Sequence, residues 1–472
     1  MRFAVVNLGC KVNRVESDAV AARLAALGCA EAREQEADLI VVNTCAVTGE
    51  AEKKTRKAVR HALRANDAAR VLVTGCAAAL RPEAFTEMSP RVECVGKAQL
   101  EERAAALAAA IAAQATERAE ACPDAAPAAE GAAPAAVCAS QPDSASASAS
   151  AADPAASTLS AVSTASIPAP APAALGLLRV GGSFPTRVGV KVQDGCNNAC
   201  TYCIVHVARG RATSRPADAV AAECAAYARA GVKEIVLTGI NLGSYRCEEP
   251  GAARPVRLAE LLRRLLAATA DAADGQPCRF RISSIEPRDV DDDLIALLAE
   301  ADGRVCRHLH LPLQAGSAKV LREMARPYDP ALFVGLVDRL RAAAPTLALS
   351  TDIIAGFPGE TDAEFEETLA LARRCGFAKI HAFPYSPREG TPAAARADQV
   401  PADEKERRAA RLRALGDELR ADDYRRRAGR VEQVLVERAG AGMTESYYEV
   451  AVAHGAQPGA LVSLTLPEAP LR

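Results

Sequence analysis

The chain has 472 residues, half of them apolar, and a formal net charge of -2; that length suits roughly two to four domains, and the balanced charge excludes a globally basic nucleic-acid binder. No apolar run reaches membrane-spanning length, and the opening MRFAVVNLGC is too short for an export signal, with Lys11 and Arg14 following at once. The reading is a cytoplasmic protein without a membrane partner, in which fifteen cysteines point to metal or catalysis rather than disulfides.

Three short apolar runs come first: FAVVN (3–7), DLIVVN (38–43) and RVLVTG (70–75). Helical patterns separate them, for example ESDAVAARLAALG, which stops at Gly28 as a helix C-cap does. Continuously apolar strands alternating with helices predict an open parallel α/β sheet covered on both faces, over residues 1–112. Residues 113–180 are almost entirely Ala, Ser and Pro and are predicted to be a disordered linker, with no role for Cys122 or Cys138. From 181 to 427 the alternation resumes, with strands expected at 187–193, 233–239, 279–286, 308–314, 349–357 and 379–386. Six successive βα units predict a parallel barrel or part of one. KERRAARLRALGDELRADDYRRRAGR reads as a charged closing helix, and residues 428–472 as a small β-rich domain.

Cysteines mark both α/β units. Cys10, Cys45 and Cys76 each follow a predicted strand, in the contexts VVNLGC, VVNTC and LVTGC. The carboxyl ends of parallel strands share one edge, so three residues distant in sequence converge on one locus. The bland alternative is that they are buried small hydrophobes. The second triad, Cys196, Cys200 and Cys203, lies in DGCNNACTYC after the first barrel strand. A zinc site would want a fourth ligand, for which only His206 is near. A 4Fe–4S cluster held by three cysteines instead leaves one iron open for a substrate or cofactor, and both triads have that form.

CNNACTYC resembles the signature of radical S-adenosylmethionine (SAM) enzymes, and the first triad with GCKVN and VVNTCAVT resembles the amino-terminal domain of methylthiotransferases. The tail resembles the small RNA-binding β-barrel called TRAM. LGCKVNRVESD, ISSIEP and STDIIAGFPGET look most like the members acting on threonylcarbamoyladenosine in tRNA; other members act on isopentenyladenosine or on a ribosomal protein. The resemblance implies two 4Fe–4S clusters, one on each triad, with SAM on the Cys196/Cys200/Cys203 cluster and the transferred sulfur on the Cys10/Cys45/Cys76 cluster. It further implies hydrogen abstraction from carbon 2 of the adenosine at tRNA position 37, and electrons from a partner such as flavodoxin or ferredoxin. The rival of another class is a non-catalytic RNA-binding protein with two structural zinc sites.

Further residues join these by position. Tyr202 is a candidate to pack on the SAM adenine. Thr238, Gly239 and Asn241 follow the second barrel strand and are candidates to line the SAM site. In HLHLPLQ, alternation places Leu309, Leu311 and Leu313 on one face and His308, His310 and Gln314 on the other, facing a lumen. Glu286 and Asp352 lie near other strand ends and are candidates for SAM. The runs EKKTRKAVRHALR, RRAARLR and YRRRAGR are candidates for phosphate contacts, and Tyr447 and Tyr448 for base stacking.

Overall fold

The structure is a computed structural model, and it describes residues 1–46, 49–121, 186–271, 275–301 and 303–471. The expected linker lies outside the described residues from 122 onward, with Cys122 and Cys138 in it. Its expected first residues belong instead to the helix Leu100–Ala121.

The amino-terminal unit is a five-stranded, all-parallel sheet of β1 (Arg2–Asn7), β2 (Ala30–Glu31), β3 (Leu39–Thr44), β4 (Arg70–Gly75) and β5 (Val92–Cys94), in the order β2-β1-β3-β4-β5. All six residues of β3 are buried, which is why the sequence there is apolar without alternation. The order reverses between β1 and β3, so ligands are expected outside the carboxyl ends of these two strands.

The second unit holds β6 (Arg187–Lys191), the short antiparallel pair β7 (Gln193–Asp194) and β8 (Thr213–Ser214), then β9 (Glu234–Thr238), β10 (Arg279–Ile282), β11 (His308–His310), β12 (Ala348–Ala355) and β13 (Lys379–Pro384). β6, β9 and β10 pair in parallel, as do β11, β12 and β13. Parallel bridges Phe280–Val305 and Ser284–His310 join the halves. The result is an open barrel of six parallel strands. Leu309, Leu311, Leu313, Ile235 and Leu237 point outward into one continuous core with the covering helices.

An open barrel has two exposed edges. At the β6 edge, the first-domain helix Lys11–Ala26 packs so closely that a Cβ on Gly189 would lie 2.5 Å from Val15. At the β13 edge, the closing helix Ala402–Arg427 lays Gly416 against Ile380. The tail is an antiparallel sheet of β14 (Val431–Arg438), β15 (Ala441–Thr444), β16 (Glu449–Ala451) and β17 (Leu461–Thr465), ordered β16-β15-β14-β17. Its apolar face buries Val434, Val436, Tyr448 and Val450 against Tyr424 of the closing helix. Residues at the amino ends of the barrel strands hold it: Arg279 donates to the carbonyl of Gln433 at 2.7 Å, Arg281 to that of Glu445 at 2.9 Å, and Arg307 to the Glu445 carboxylate at 3.0 Å. The tail therefore closes one end of the lumen and leaves the carboxyl ends of the strands for chemistry.

Candidate active site

The first triad sits at the β1/β3 switch point and its neighbour β4. Cys10 caps the amino end of Lys11–Ala26, Cys45 is the next residue after β3, and Cys76 the next after β4. Two buried asparagines fix the spacing of the strand ends. Asn13 donates to Asn43 Oδ1 at 2.6 Å and to the Thr44 carbonyl at 2.9 Å; Asn43 donates back to the Asn13 carbonyl at 2.9 Å. Asn13 Oδ1 accepts from the Cys10 thiol at 3.2 Å. Gly75 lies at φ 95° and ψ -168°, a region essentially reserved for glycine, and a Cβ there would stand 2.3 Å from the Thr44 carbonyl oxygen. This close approach carries Cys76 beside Cys45. Gly75→Ala should therefore cost about 1–3 kcal/mol of stability and lower iron bound per chain after reconstitution, measured by thermal melt and iron assay.

The second triad follows β6 and β7 at the carboxyl mouth of the barrel. The Asn198 amide donates to Cys196 Sγ and the Val205 amide to Cys203 Sγ, both at 3.4 Å, and Arg326 Nη1 donates to Cys200 Sγ at 3.2 Å. Donors aimed at sulfur stabilise thiolate charge. Burial pushes the Cys196 thiol up and the Cys203 thiol up to about 11, whereas a bound cation would favour the thiolate.

Both triads suit iron–sulfur clusters better than zinc. Among the described residues, neither has three sulfurs within 4.8 Å of one another, and His206 joins no such group. A single zinc at about 2.3 Å from each sulfur would hold them about 3.8 Å apart. His206 Nδ1 is buried without a partner.

Arg209, at the end of the helix Val205–Arg209, connects the two triads. Its side chain is fully buried. Nε donates to Cys76 Sγ at 3.3 Å, Nη1 to Glu16 at 3.0 Å and Asp194 at 2.9 Å, and Nη2 to Asn13 at 3.0 Å. Lys191 completes the group, 3.0 Å from Glu16 and 3.1 Å from Asp194. Arg326 has the matching place at the second triad, paired with Glu286 and donating to the hydroxyls of Tyr328 at 3.1 Å and Tyr202 at 3.4 Å. Neither arginine was found by sequence reasoning, because a single Arg in VARG or MARPYD carries no period and no spacing. Tyr202 packs against the barrel core, with its hydroxyl at Arg326.

A cavity of about 440 Å³ joins the three units. Cys10, Lys11 and Val12 reach it from the first unit; Thr238, Gly239, His308, His310, Asp352, Lys379, His381 and Phe383 from the barrel; Ser446 and Tyr447 from the tail. Ser350 Oγ lies 2.9 Å from both His308 Nε2 and His310 Nδ1, and Asp352 is 3.2 Å from His310 Nε2. Tyr447, at φ 73°, stacks on His308 with ring centroids 5.0 Å apart.

Two expectations, those for Gln314 and Tyr448, are corrected here. Gln314 does not line the cavity: β11 ends at His310, φ at Gln314 is 66°, and its backbone bonds to β12, so the His308/His310 alternation stops before it. Asn241, a candidate for the SAM site, follows β9 outside this cavity. Its backbone amide donates to Gln193 Oε1 at 2.8 Å, while its own buried Oδ1 has no partner among the described residues and is an acceptor open to a ligand. Glu286 stands at the second triad, paired with Arg326. Tyr448 is core, donating to Asp423 at 2.9 Å, so only Tyr447 faces the cavity.

The arginine-rich closing helix is also less available than its sequence suggests. Arg408 and Arg427 are buried against Glu360, Glu404 and Asp362 and against Asp423 and Glu432, and Arg407, Arg411, Arg413 and Arg425 each pair with a carboxylate. On the helix Gly49–Ala65, by contrast, Lys53, Lys57, Arg60 and Arg64 are exposed.

An open six-stranded parallel barrel with C-x-x-x-C-x-x-C at its carboxyl mouth defines a radical SAM fold. Residues 190–372 match the radical SAM superfamily, and residues 2–96 match uncharacterized protein family UPF0004. The chain is 33% identical over 407 residues to the threonylcarbamoyladenosine tRNA methylthiotransferase MtaB of Thermotoga maritima, covering 86% of this chain and 79% of that one. Against MtaB of Bacillus subtilis the figures are 33% over 454 residues, 94% and 88%. Against the tRNA-2-methylthio-N(6)-dimethylallyladenosine synthase of Erythrobacter litoralis they are 33% over 442 residues, 93% and 87%. The radical SAM methyltransferase TsrM of Kitasatospora setae shares the fold, with a TM-score of 0.51 at 16% identity over 83% of this chain and 75% of that one. The chain belongs to the tRNA methylthiotransferase family of radical SAM enzymes, with SAM and 4Fe–4S clusters as its cofactors and tRNA as its partner. No described helix is long and apolar enough to cross a membrane.

Proposed function

We propose that the protein methylthiolates carbon 2 of threonylcarbamoyladenosine at position 37 of tRNA. The observation that carries this reading is the cavity in which Cys10 of the first triad meets the carboxyl-end residues Thr238 and Gly239 of the barrel. Cys196, Cys200 and Cys203 would hold one cluster and Cys10, Cys45 and Cys76 the other. When bound, the cluster on Cys196, Cys200 and Cys203 would supply radical generation from SAM and the one on Cys10, Cys45 and Cys76 would supply the sulfur.

The protein's own residues position and enclose. Arg326 and the amides of Asn198 and Val205 fix the sulfurs of the second triad. Arg209 locks the loop of that triad to Cys76, so a buried ion-pair group sets the distance between the two centres. Thr238, Gly239, Asn241, Glu286 and Tyr202 surround the SAM position; Asn241 Oδ1 offers the unpaired acceptor. The His308–Tyr447 stack and Phe383 give flat surfaces for a base. The tail serves as a TRAM-type RNA contact beside the exposed cations of Gly49–Ala65. Flavodoxin or ferredoxin supplies electrons, and the setting is the cytoplasm.

The test is nucleoside mass spectrometry of tRNA incubated with anaerobically reconstituted enzyme, SAM and dithionite. The expected product is the 2-methylthio form of threonylcarbamoyladenosine. Product from dimethylallyladenosine tRNA alone would reassign the substrate.

A further inference from the structure

The cavity has an excess of cations. Lys11, Lys379 and Arg420 line it against one carboxylate, Asp352. Asp352 is engaged by His310, and Arg420 by the Ala378 carbonyl at 3.2 Å and the Tyr448 ring at 4.2 Å. Lys11 and Lys379 are different: among the described residues neither ammonium has a carboxylate partner. Lys11 lies 5.7 Å from the centroid of the Tyr447 ring. Lys379 projects from β13 on the same face as His381 and Phe383, as the two-residue strand period requires. Two like charges on one concave wall repel, and an anionic ligand relieves that repulsion.

We infer that Lys11 and Lys379 form the subsite for a carboxylate on the N6 substituent of the target adenosine, and that they select an acidic substituent over an apolar one. The inference rests on the threonylcarbamoyl reading above. Lys11 adjoins Cys10, so its ammonium reaches a group attached to the same base that meets the first triad; a backbone phosphate is set off from that base by the ribose. An apolar substituent would gain nothing from either ammonium, so the acid is favoured by attraction.

Anticodon stem-loops carrying threonylcarbamoyladenosine, its methyl ester or plain adenosine test this by fluorescence anisotropy on reconstituted protein. Wild type should bind the acid about 10- to 100-fold more tightly than the ester. Lys11→Gln/Lys379→Gln should bind the two alike, and Lys379→Arg should keep the preference. Iron per chain reports folding; if the substitution beside Cys10 lowers it, Lys379→Gln alone carries the comparison. Equal wild-type affinity for acid and ester overturns the subsite, as does an equal loss on all three stem-loops, which would mark a phosphate contact. Methylthiolation by the same preparations separates the two proposals. Product without acid preference removes only the subsite, whereas no product from the acid removes the proposed substrate.

Discussion

Cys45→Ala should lower bound iron from about eight to about four atoms per chain while SAM is still cleaved to 5′-deoxyadenosine, and methylthio product should vanish. Cys200→Ala should also lose about four irons but should abolish SAM cleavage together with product. The asymmetry follows from where the two thiols stand. Cys45 follows β3 at the switch point of the first sheet, on the other unit from the barrel loop of the second triad. Cys200 sits in the barrel loop, where Arg326 donates to its sulfur beside Tyr202 and Glu286. Iron analysis and a chromatographic assay for 5′-deoxyadenosine read the two effects separately. Loss of SAM cleavage in Cys45→Ala would mean that the centres do not act independently. Zinc in place of iron in wild-type protein would favour the structural alternative.

The second large effect is on stability. Glu234 opens β9 and is fully buried. It accepts from Arg279 Nε at 2.8 Å and from Arg281 Nε at 2.7 Å, and both arginines are themselves buried and reach on to the carbonyls of Gln433, Met443, Thr444 and Glu445 in the tail. Burial opposes the Glu234 charge, but the two guanidiniums outweigh it and hold its carboxyl well below the usual range. Glu234→Leu would strand two buried cations, at a cost of about 3–5 kcal/mol. A fall in Tm of roughly 10 °C is expected for a unit of this size, with the tail loosened before the barrel and seen as early loss of amide protection in β14 and β15. Because Tyr447 lies on the loosened segment, stem-loop affinity should fall with it. An unchanged Tm would show that the network contributes nothing net.

The architecture was legible because it rests on local pattern. VVN, IVVN and VLVTG are apolar without alternation, which only a strand covered on both faces requires, and each parallel βα unit repeats that signal. The two cysteine triads were legible as well: Cys10, Cys45 and Cys76 each lie within three residues of a different strand end, so the sheet rule brings them to one edge, and Cys196, Cys200 and Cys203 share one loop. Alternation in HLHLPLQ correctly turned His308 and His310 into the lumen but failed at Gln314, because a single positive φ resets which face follows and no residue type there announces it. Basic composition likewise says less about the closing helix than it promises: Glu404 and Asp423 pair with Arg408 and Arg427 within the helix, but the burial of those arginines also needs Glu360 and Glu432 on other segments.

The sequence by itself determined the cysteines, the parallel sheets and the class of chemistry, because those follow from periodicity and spacing along one strand or loop. Only the tertiary structure decided that Arg209 of the barrel donates to Cys76 of the first unit, that Arg326 donates to Cys200, and that Cys10, Lys11, His310, Lys379 and Tyr447 share one cavity. These contacts join segments up to several hundred residues apart, and their energy comes from burying charge against charge at an interface between folded units, a quantity that no local pattern of residues encodes.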